Sequence, residues 1–362
     1  METENREQRR RPDFRKIQPR AVQVEEQNLV RFRPLDDTTA LPMLVEPSEA
    51  SVDLARWVEH NGSLLTPRLH TCGSLLFRNF ALQSVAAFQE VARALSGELL
   101  AYTERSTPRS TVEGRVFTST EYPAGQFIQL HSEMSYAASW PRKIWFYCVQ
   151  PAAWGGSTPL ADNRQVYALI DPALRQLFEE KRVMYVRNYG EGLDLPWQEV
   201  FQTSDTEAVE AYCRKAGISF AWKGGGRLRT WQVRQAVVRH PETGEMLWFN
   251  QAHLFHVSSL DAEVRASLHT VVSEEDLPRN ACFGDGTPIE EEMLDQVREA
   301  YRRASVRFPW QQGDLVLLDN MLVAHGRDPF VGPRSVVVAM AEGYMEAQGD
   351  ARGDGRGEES AG

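Results

Sequence analysis

The apolar positions along the chain change period several times, and each change marks an element. Ser74-Leu75-Leu76-Phe77-Arg78-Asn79-Phe80 is a short apolar run of strand type. After it Val85, Phe88, Val91, Ala92 and Leu95 fall on one helical face, with Ser84 as the cap and Gly97 as the stop. Lys143-Ile144-Trp145-Phe146-Tyr147-Cys148-Val149 is a continuous branched and aromatic run, which predicts a strand buried on both faces. It ends at Gln150-Pro151, and Trp154-Gly155-Gly156-Ser157-Thr158-Pro159-Leu160 turns the chain back. Residues 162–180 have helical spacing broken at Asp171-Pro172, where an aspartate cap and a proline in the first helical position restart the helix.

Val183-Met184-Tyr185-Val186-Arg187 predicts another strand, and Thr206 to Gly217 an amphipathic helix through Val209, Tyr212 and Cys213. From Gln232 the chain alternates through Val233, Ala236 and Val238, turns at His240-Pro241-Glu242-Thr243-Gly244, and returns as Met246-Leu247-Trp248-Phe249-Asn250. An acidic-headed helix over about 289–304 precedes three strands, at 315–320, 322–327 and 334–340. Strands thus dominate both ends and helices fill the middle. That order suits an all-β sandwich or jelly roll with helical insertions better than a doubly wound parallel sheet.

Composition narrows the class. With 362 residues, 42% of them hydrophobic, the chain can build one large core, and no linker divides it. We expect a basic leader over 1–24 without fixed structure, one domain over 25–346, and a disordered low-complexity tail over 347–362. A net charge of −10 argues against nucleic acid as a partner. No apolar run has the length of a membrane span, and no secretory h-region follows the N-terminus. Cys72, Cys148, Cys213 and Cys282 lack zinc-ligand spacing. The expectation is a soluble, cytoplasmic globular protein.

The chemistry concentrates around Gln129-Leu130-His131-Ser132-Glu133-Met134-Ser135-Tyr136. On a strand, His131 and Glu133 point to the same face. Such a pair supplies two corners of a 2-His-1-carboxylate site, whose open positions on iron(II) take a chelating co-substrate and O2. His325, at the end of a distant apolar strand, is a candidate third corner. Arg334 opens the next strand, and its planar fork can pair a dicarboxylate. Spacing alone leaves open a solvated His131–Glu133 pair, a core histidine at 325 and a surface arginine at 334.

The joint pattern is more specific. Tyr122-Pro123, the 131–136 segment, Trp140-Pro141, Trp145-Phe146-Tyr147-Cys148, Gly155-Gly156-Ser157-Thr158-Pro159, residues 319–327 with Pro329-Phe330, and Gly332-Pro333-Arg334 resemble the iron(II)- and 2-oxoglutarate-dependent oxygenases of the taurine dioxygenase and clavaminate synthase family. Within it the chain is similar to SyrP-like proteins of nonribosomal peptide gene clusters. The resemblance implies a double-stranded β-helix and iron bound by His131, Glu133 and His325. It also implies that Thr158 and Arg334 hold the 2-oxoglutarate carboxylate. Many members carry a second arginine where Val338 stands here, so Arg327 is an alternative anchor or a substrate contact. The implied reaction is hydroxylation of an amino acid or amino-acid-derived molecule, free or on a peptidyl carrier protein, in natural-product biosynthesis. A zinc hydrolase or a non-catalytic binding protein on the same scaffold would share the triad.

Arg105, with Glu104 and Arg109, is a further candidate substrate contact, as is Asn250. His253 and His256 have i, i+3 spacing without a local carboxylate, so a wall of the substrate pocket is the better reading. Gly224-Gly225-Gly226 lacks the Lys-Ser/Thr of a phosphate loop and reads as a turn.

Overall fold

The computed structural model describes residues 29–36, 39–101, 110–119, 122–190 and 195–345. The basic leader up to 28, the tail from 346, and Glu104, Arg105 and Arg109 lie outside them. Eight strands form the main sheet in the order Val30–Pro34, Met43–Pro47, Ser74–Phe77, Leu315–Asp319, Trp140–Gln150, Ser335–Tyr344, Val116–Thr118 and Thr111–Glu113. Among the described residues only Met43–Pro47 and Ser74–Phe77 pair in parallel. A smaller sheet has the order Ser305–Val306, Leu160–Asp162, Val323–Arg327 and Ile128–His131.

Trp140–Gln150 divides two cores, as its unbroken apolar run predicts. Trp145 and Tyr147 turn to one side and pack with Trp57, Leu65, Phe88 and Val91 of the helices Leu54–Cys72 and Val85–Ser96. Ile144, Phe146 and Cys148 turn to the other, where they share a core with Leu130, Leu160 and Ala324 of the smaller sheet. Phe88 is fully buried and stacks on Tyr147 at 5.4 Å. Removing its ring by Phe88→Ala costs about 3–5 kcal/mol.

The caps act where the sequence places them. Ser84 Oγ accepts from Ala87 N–H at 3.1 Å. The 162–180 segment is two helices, Asn163–Leu169 and Pro172–Lys181, with Asp171 accepting from the Ala173 and Leu174 amides.

The middle of the chain differs from expectation. It holds a four-stranded antiparallel sheet, ordered Ser219–Lys223, Arg227–Arg234, Val183–Tyr189 and Arg279–Phe283. The alternation read from Gln232 onward belongs to two strands, because Arg227–Arg234 ends before Val237–Arg239 begins. Arg227–Arg234 escapes a pattern search because polar Thr230 and Gln232 occupy its buried face. The three glycines are the tight turn between Ser219–Lys223 and that strand. Leu54–Cys72 was also unforeseen: Pro67 lies inside it and Asn61 interrupts its helical geometry. No helix among the described residues is long and apolar enough to cross a membrane.

Candidate active site

His131 and His325 are direct cross-strand partners in the smaller sheet, with ring centroids 4.7 Å apart. Next to His325 the strands come too close for a side chain: a Cβ on Gly326 would lie 2.5 Å from the Ile128 carbonyl oxygen. Glu133 joins the pair by a route other than strand alternation. The strand ends at His131, and Glu133 stands in the following turn, where Met134 takes φ +57°. One ligand-capable atom from each of His131, Glu133 and His325 lies within 4.8 Å of the other two. Glu133 is 3% exposed. Two imidazoles and a carboxylate gathered this closely in a buried place form a donor set suited to a divalent transition metal.

Side chains from remote elements hold this loop. Asn320 grips the Glu133 peptide unit from both sides: its Oδ1 accepts from Glu133 N–H at 2.7 Å, and its Nδ2 donates to the Glu133 carbonyl at 2.9 Å and the Pro141 carbonyl at 2.8 Å. Gln251 Nε2 donates to the Ser132 carbonyl, and Asn163 Nδ2 donates to Ser132 Oγ. His253 Nε2 donates to the Leu130 carbonyl at 2.9 Å. Complete burial drives the His253 pKa down to about 3, so it is neutral at physiological pH. It braces the loop through a hydrogen bond, while His256 pairs Ser258. His131 Nδ1 lies 2.7 Å from the Gln129 carbonyl. A carbonyl only accepts, so Nδ1 carries the proton and Nε2 keeps its lone pair for a metal.

A second cluster, His70, His240 and Glu242, also brings three ligand-capable atoms together. There both nitrogens of His240 are engaged. Nδ1 accepts from the Glu242 and Thr243 amides, and Nε2 donates to Asp319 at 3.1 Å. The other Asp319 oxygen accepts from Met321 and Leu322 N–H, forming the turn that aims Asn320. This cluster is a brace for the first.

A cavity adjoins the triad, lined by His131, His325, Thr158, Arg327 and Arg334 among polar groups and by Phe146, Val336 and Val338 among apolar ones. Thr158 Oγ1 accepts from Trp310 Nε1 at 3.0 Å, which leaves its own hydrogen to donate into the cavity. Arg334 Nε donates to the Gly156 carbonyl at 2.9 Å. Gly156 has φ +72°, and a Cβ there would lie 3.0 Å from Arg334 Cδ. Burial, with Arg327 nearby, lowers the Arg334 pKa to about 10, which still leaves it a cation at neutral pH. Arg327 donates to the Tyr122, Pro123 and Gln126 carbonyls and thereby ties their loop to its own strand. Asn250 uses both ends of its amide inside the protein, donating to the Ala236 carbonyl and accepting from Ala252 N–H.

Asn163 and Gln251 were not singled out by sequence reasoning, and Asp319 and Asn320 entered it only as the start of the 319–327 motif, with no role assigned.

Residues 32–340 match the Taurine catabolism dioxygenase TauD, TfdA family. The chain is 41% identical to the dapdiamide synthesis protein DdaC of Enterobacter agglomerans, over 86% of this chain and 94% of that one. It is 29% identical to a clavaminate synthase-like protein of Arabidopsis thaliana, over 84% and 95%. Among solved structures, PvcB from Pseudomonas aeruginosa shares the fold with a TM-score of 0.52 at 16% identity, over 90% of this chain and 94% of that one.

Proposed function

The chain belongs to the TauD, TfdA family of iron(II)- and 2-oxoglutarate-dependent oxygenases, and from that membership we propose that it hydroxylates an aliphatic C–H bond of an amino acid or amino-acid-derived substrate. The substrate is free or tethered to a peptidyl carrier protein, and the setting is natural-product biosynthesis. The 41% identity to a dapdiamide synthesis protein supports that setting. We read the main sheet and the smaller sheet, which share one core, as the two halves of a double-stranded β-helix.

The observation that carries the proposal is the convergence of His131, Glu133 and His325 beside a cavity bearing Arg334 and Thr158. In this reading His131 Nε2, a Glu133 oxygen and a His325 nitrogen hold the metal. When bound, iron(II) with 2-oxoglutarate and O2 supplies the oxidising power for C–H cleavage. The remaining work falls to the chain. Arg334 pairs the distal carboxylate of 2-oxoglutarate, and the Thr158 hydroxyl donates to it. Phe146, Val336 and Val338 keep water from that end. The brace on residues 130–133 fixes the ligands before any metal arrives. Glu133 fills the position that a halogenase leaves vacant for chloride.

Anaerobic titration with iron(II) and 2-oxoglutarate tests the assignment. A visible charge-transfer band is expected in the wild type and is lost in Glu133→Ala and His325→Ala. An unaltered band in either variant removes that residue from the ligand set, and no band in the wild type overturns the reading.

A further inference from the structure

Trp310 stands behind the cavity wall that carries Thr158. Its indole Nε1 donates to Thr158 Oγ1 at 3.0 Å, and both side chains are buried. Thr158 makes no other side-chain hydrogen bond among the described residues. An indole N–H only donates, so at that contact the hydroxyl has to accept. The O–H bond therefore cannot point back into the core, and the orientations left to it lie on the cavity side. Without such a partner a threonine hydroxyl turns to suit whatever is near, giving or taking a hydrogen bond. Arg334, which only donates, lines the same cavity and offers nothing to receive the Thr158 proton. What the hydroxyl lacks is an acceptor, and a ligand carboxylate supplies one.

The two partners are fixed independently of each other. Thr158 lies in a segment bonded on both sides to the strand region 326–329: Gly156 N–H donates to the Pro329 carbonyl, Asp328 N–H to the Ser157 carbonyl and Gly326 N–H to the Pro159 carbonyl, each at 3.0 Å. Loss of the indole would thus leave Thr158 in place and release only the direction of its O–H bond. Trp310 is mounted from its own side. The residue before it, Pro309, accepts from Arg78 Nη2 through its carbonyl at 2.8 Å, and the residue after it, Gln311, donates its N–H to Asp314 Oδ2 at 2.8 Å. Arg78 and Asp314 close this frame as a buried two-pronged ion pair, with Nε and Nη2 at 2.9 and 2.6 Å from the two carboxylate oxygens. Phe308 packs edge-on against the indole, with ring centroids 5.0 Å apart.

We propose that Trp310 is a positioning residue for the co-substrate: its indole N–H aims the Thr158 proton at the distal carboxylate of 2-oxoglutarate. This role presupposes the oxygenase reading, in which that carboxylate lies against Arg334 and Thr158.

The test is a double-mutant cycle on the full chain. Anaerobic isothermal titration calorimetry with iron(II) gives the dissociation constant of 2-oxoglutarate in the wild type, Trp310→Phe, Thr158→Val and the double variant. Trp310→Phe keeps an aromatic ring beside Phe308 and removes the N–H, and it should weaken binding about fivefold, the scale of one hydrogen bond between neutral groups. Thr158→Val, which loses a bond to a charged group, should weaken it about tenfold or more. In the double variant the Trp310 change adds nothing, because no hydroxyl remains to be aimed. On a Thr158→Ser background, which keeps a hydroxyl, the effect of Trp310→Phe returns. A Trp310 that merely fills space would weaken binding equally with and without that hydroxyl. Such additivity overturns the proposal, and so does wild-type affinity in Trp310→Phe. If Trp310→Phe does not fold, wild-type crystals grown anaerobically with iron(II) and 2-oxoglutarate decide. Thr158 Oγ1 must then lie within hydrogen-bond distance of both the indole nitrogen and the distal carboxylate, and a carboxylate beyond its reach overturns the role. The visible band judges the iron chemistry separately. Coupling between Trp310 and Thr158 in a protein without the band would leave this role standing and remove the oxygenase reading, while a band with additive calorimetry does the reverse.

Discussion

Asn320→Ala tests whether Glu133 is held toward the two imidazoles or merely lies near them. Asn320 makes three hydrogen bonds to backbone groups, at 2.7, 2.9 and 2.8 Å, and is completely buried. Alanine would strand the Glu133 N–H and the Glu133 and Pro141 carbonyls in a place that water reaches poorly. At about 1 kcal/mol for each lost bond, the variant should lose about 3 kcal/mol of stability, and more if no water enters. The Glu133 turn, freed on both sides, would no longer hold its carboxylate toward the two imidazoles. Changes of this kind around metal ligands typically weaken metal binding by about 10–100-fold. Urea denaturation measures the first effect, and anaerobic iron(II) titration at saturating 2-oxoglutarate measures the second. Asn320→Asp keeps the acceptor for Glu133 N–H but sets a carboxylate oxygen against two carbonyls, so it should fare no better than alanine. Wild-type stability together with wild-type iron affinity in Asn320→Ala would refute the idea that this amide positions Glu133.

Four further outcomes are expected. Arg334→Gln should raise the half-saturating concentration of 2-oxoglutarate by about 10–100-fold, the scale of a lost bond to a charged group, in a succinate-formation assay, and leave iron binding in place. Gly156→Ala should raise the same quantity more modestly, since its Cβ would crowd the Arg334 side chain at a positive φ. Gly326→Ala, with no room beside the Ile128 carbonyl, should lower the melting temperature and separate His325 from His131, seen as loss of the visible band. The pH dependence comes from His253, whose folded-state pKa of about 3 lies below its ordinary value of 6.5. Between those values the unfolded chain binds the extra proton, so His253's contribution is complete above pH 6.5. It declines by up to about 1.4 kcal/mol per pH unit as the solution is acidified. Denaturation at several pH values should show that slope flattened in His253→Gln, and an unchanged slope would remove His253 as its source.

What the sequence made legible was what leaves a local mark. The unbroken apolar run at 143–149 announced a strand between two cores, and Ser84 and Asp171 announced helix starts, because each depends on neighbours a few residues away. The three residues gathered at the site were visible as residue types that bind metals. Their means of support was not. Glu133 is held by a side chain 187 positions later, and Ser132 by one 119 positions later. Such bonds impose no periodicity on either segment. Of the middle sheet only the strand at 183–187 was legible, and its neighbour Arg227–Arg234 was not, because inward-facing Thr230 and Gln232 break the alternation by which a half-buried strand is recognised.

The remoteness of Asn320 and His325 has a consequence for how the protein is made. Until residues 320–325 have left the ribosome, the emerging polypeptide has His131 and Glu133 but neither the amide that steadies one nor the imidazole that faces the other. A divalent ion meeting that half-built chain finds two loose donors and no cage, so the pocket can assemble only after the far end of this long interval has been made.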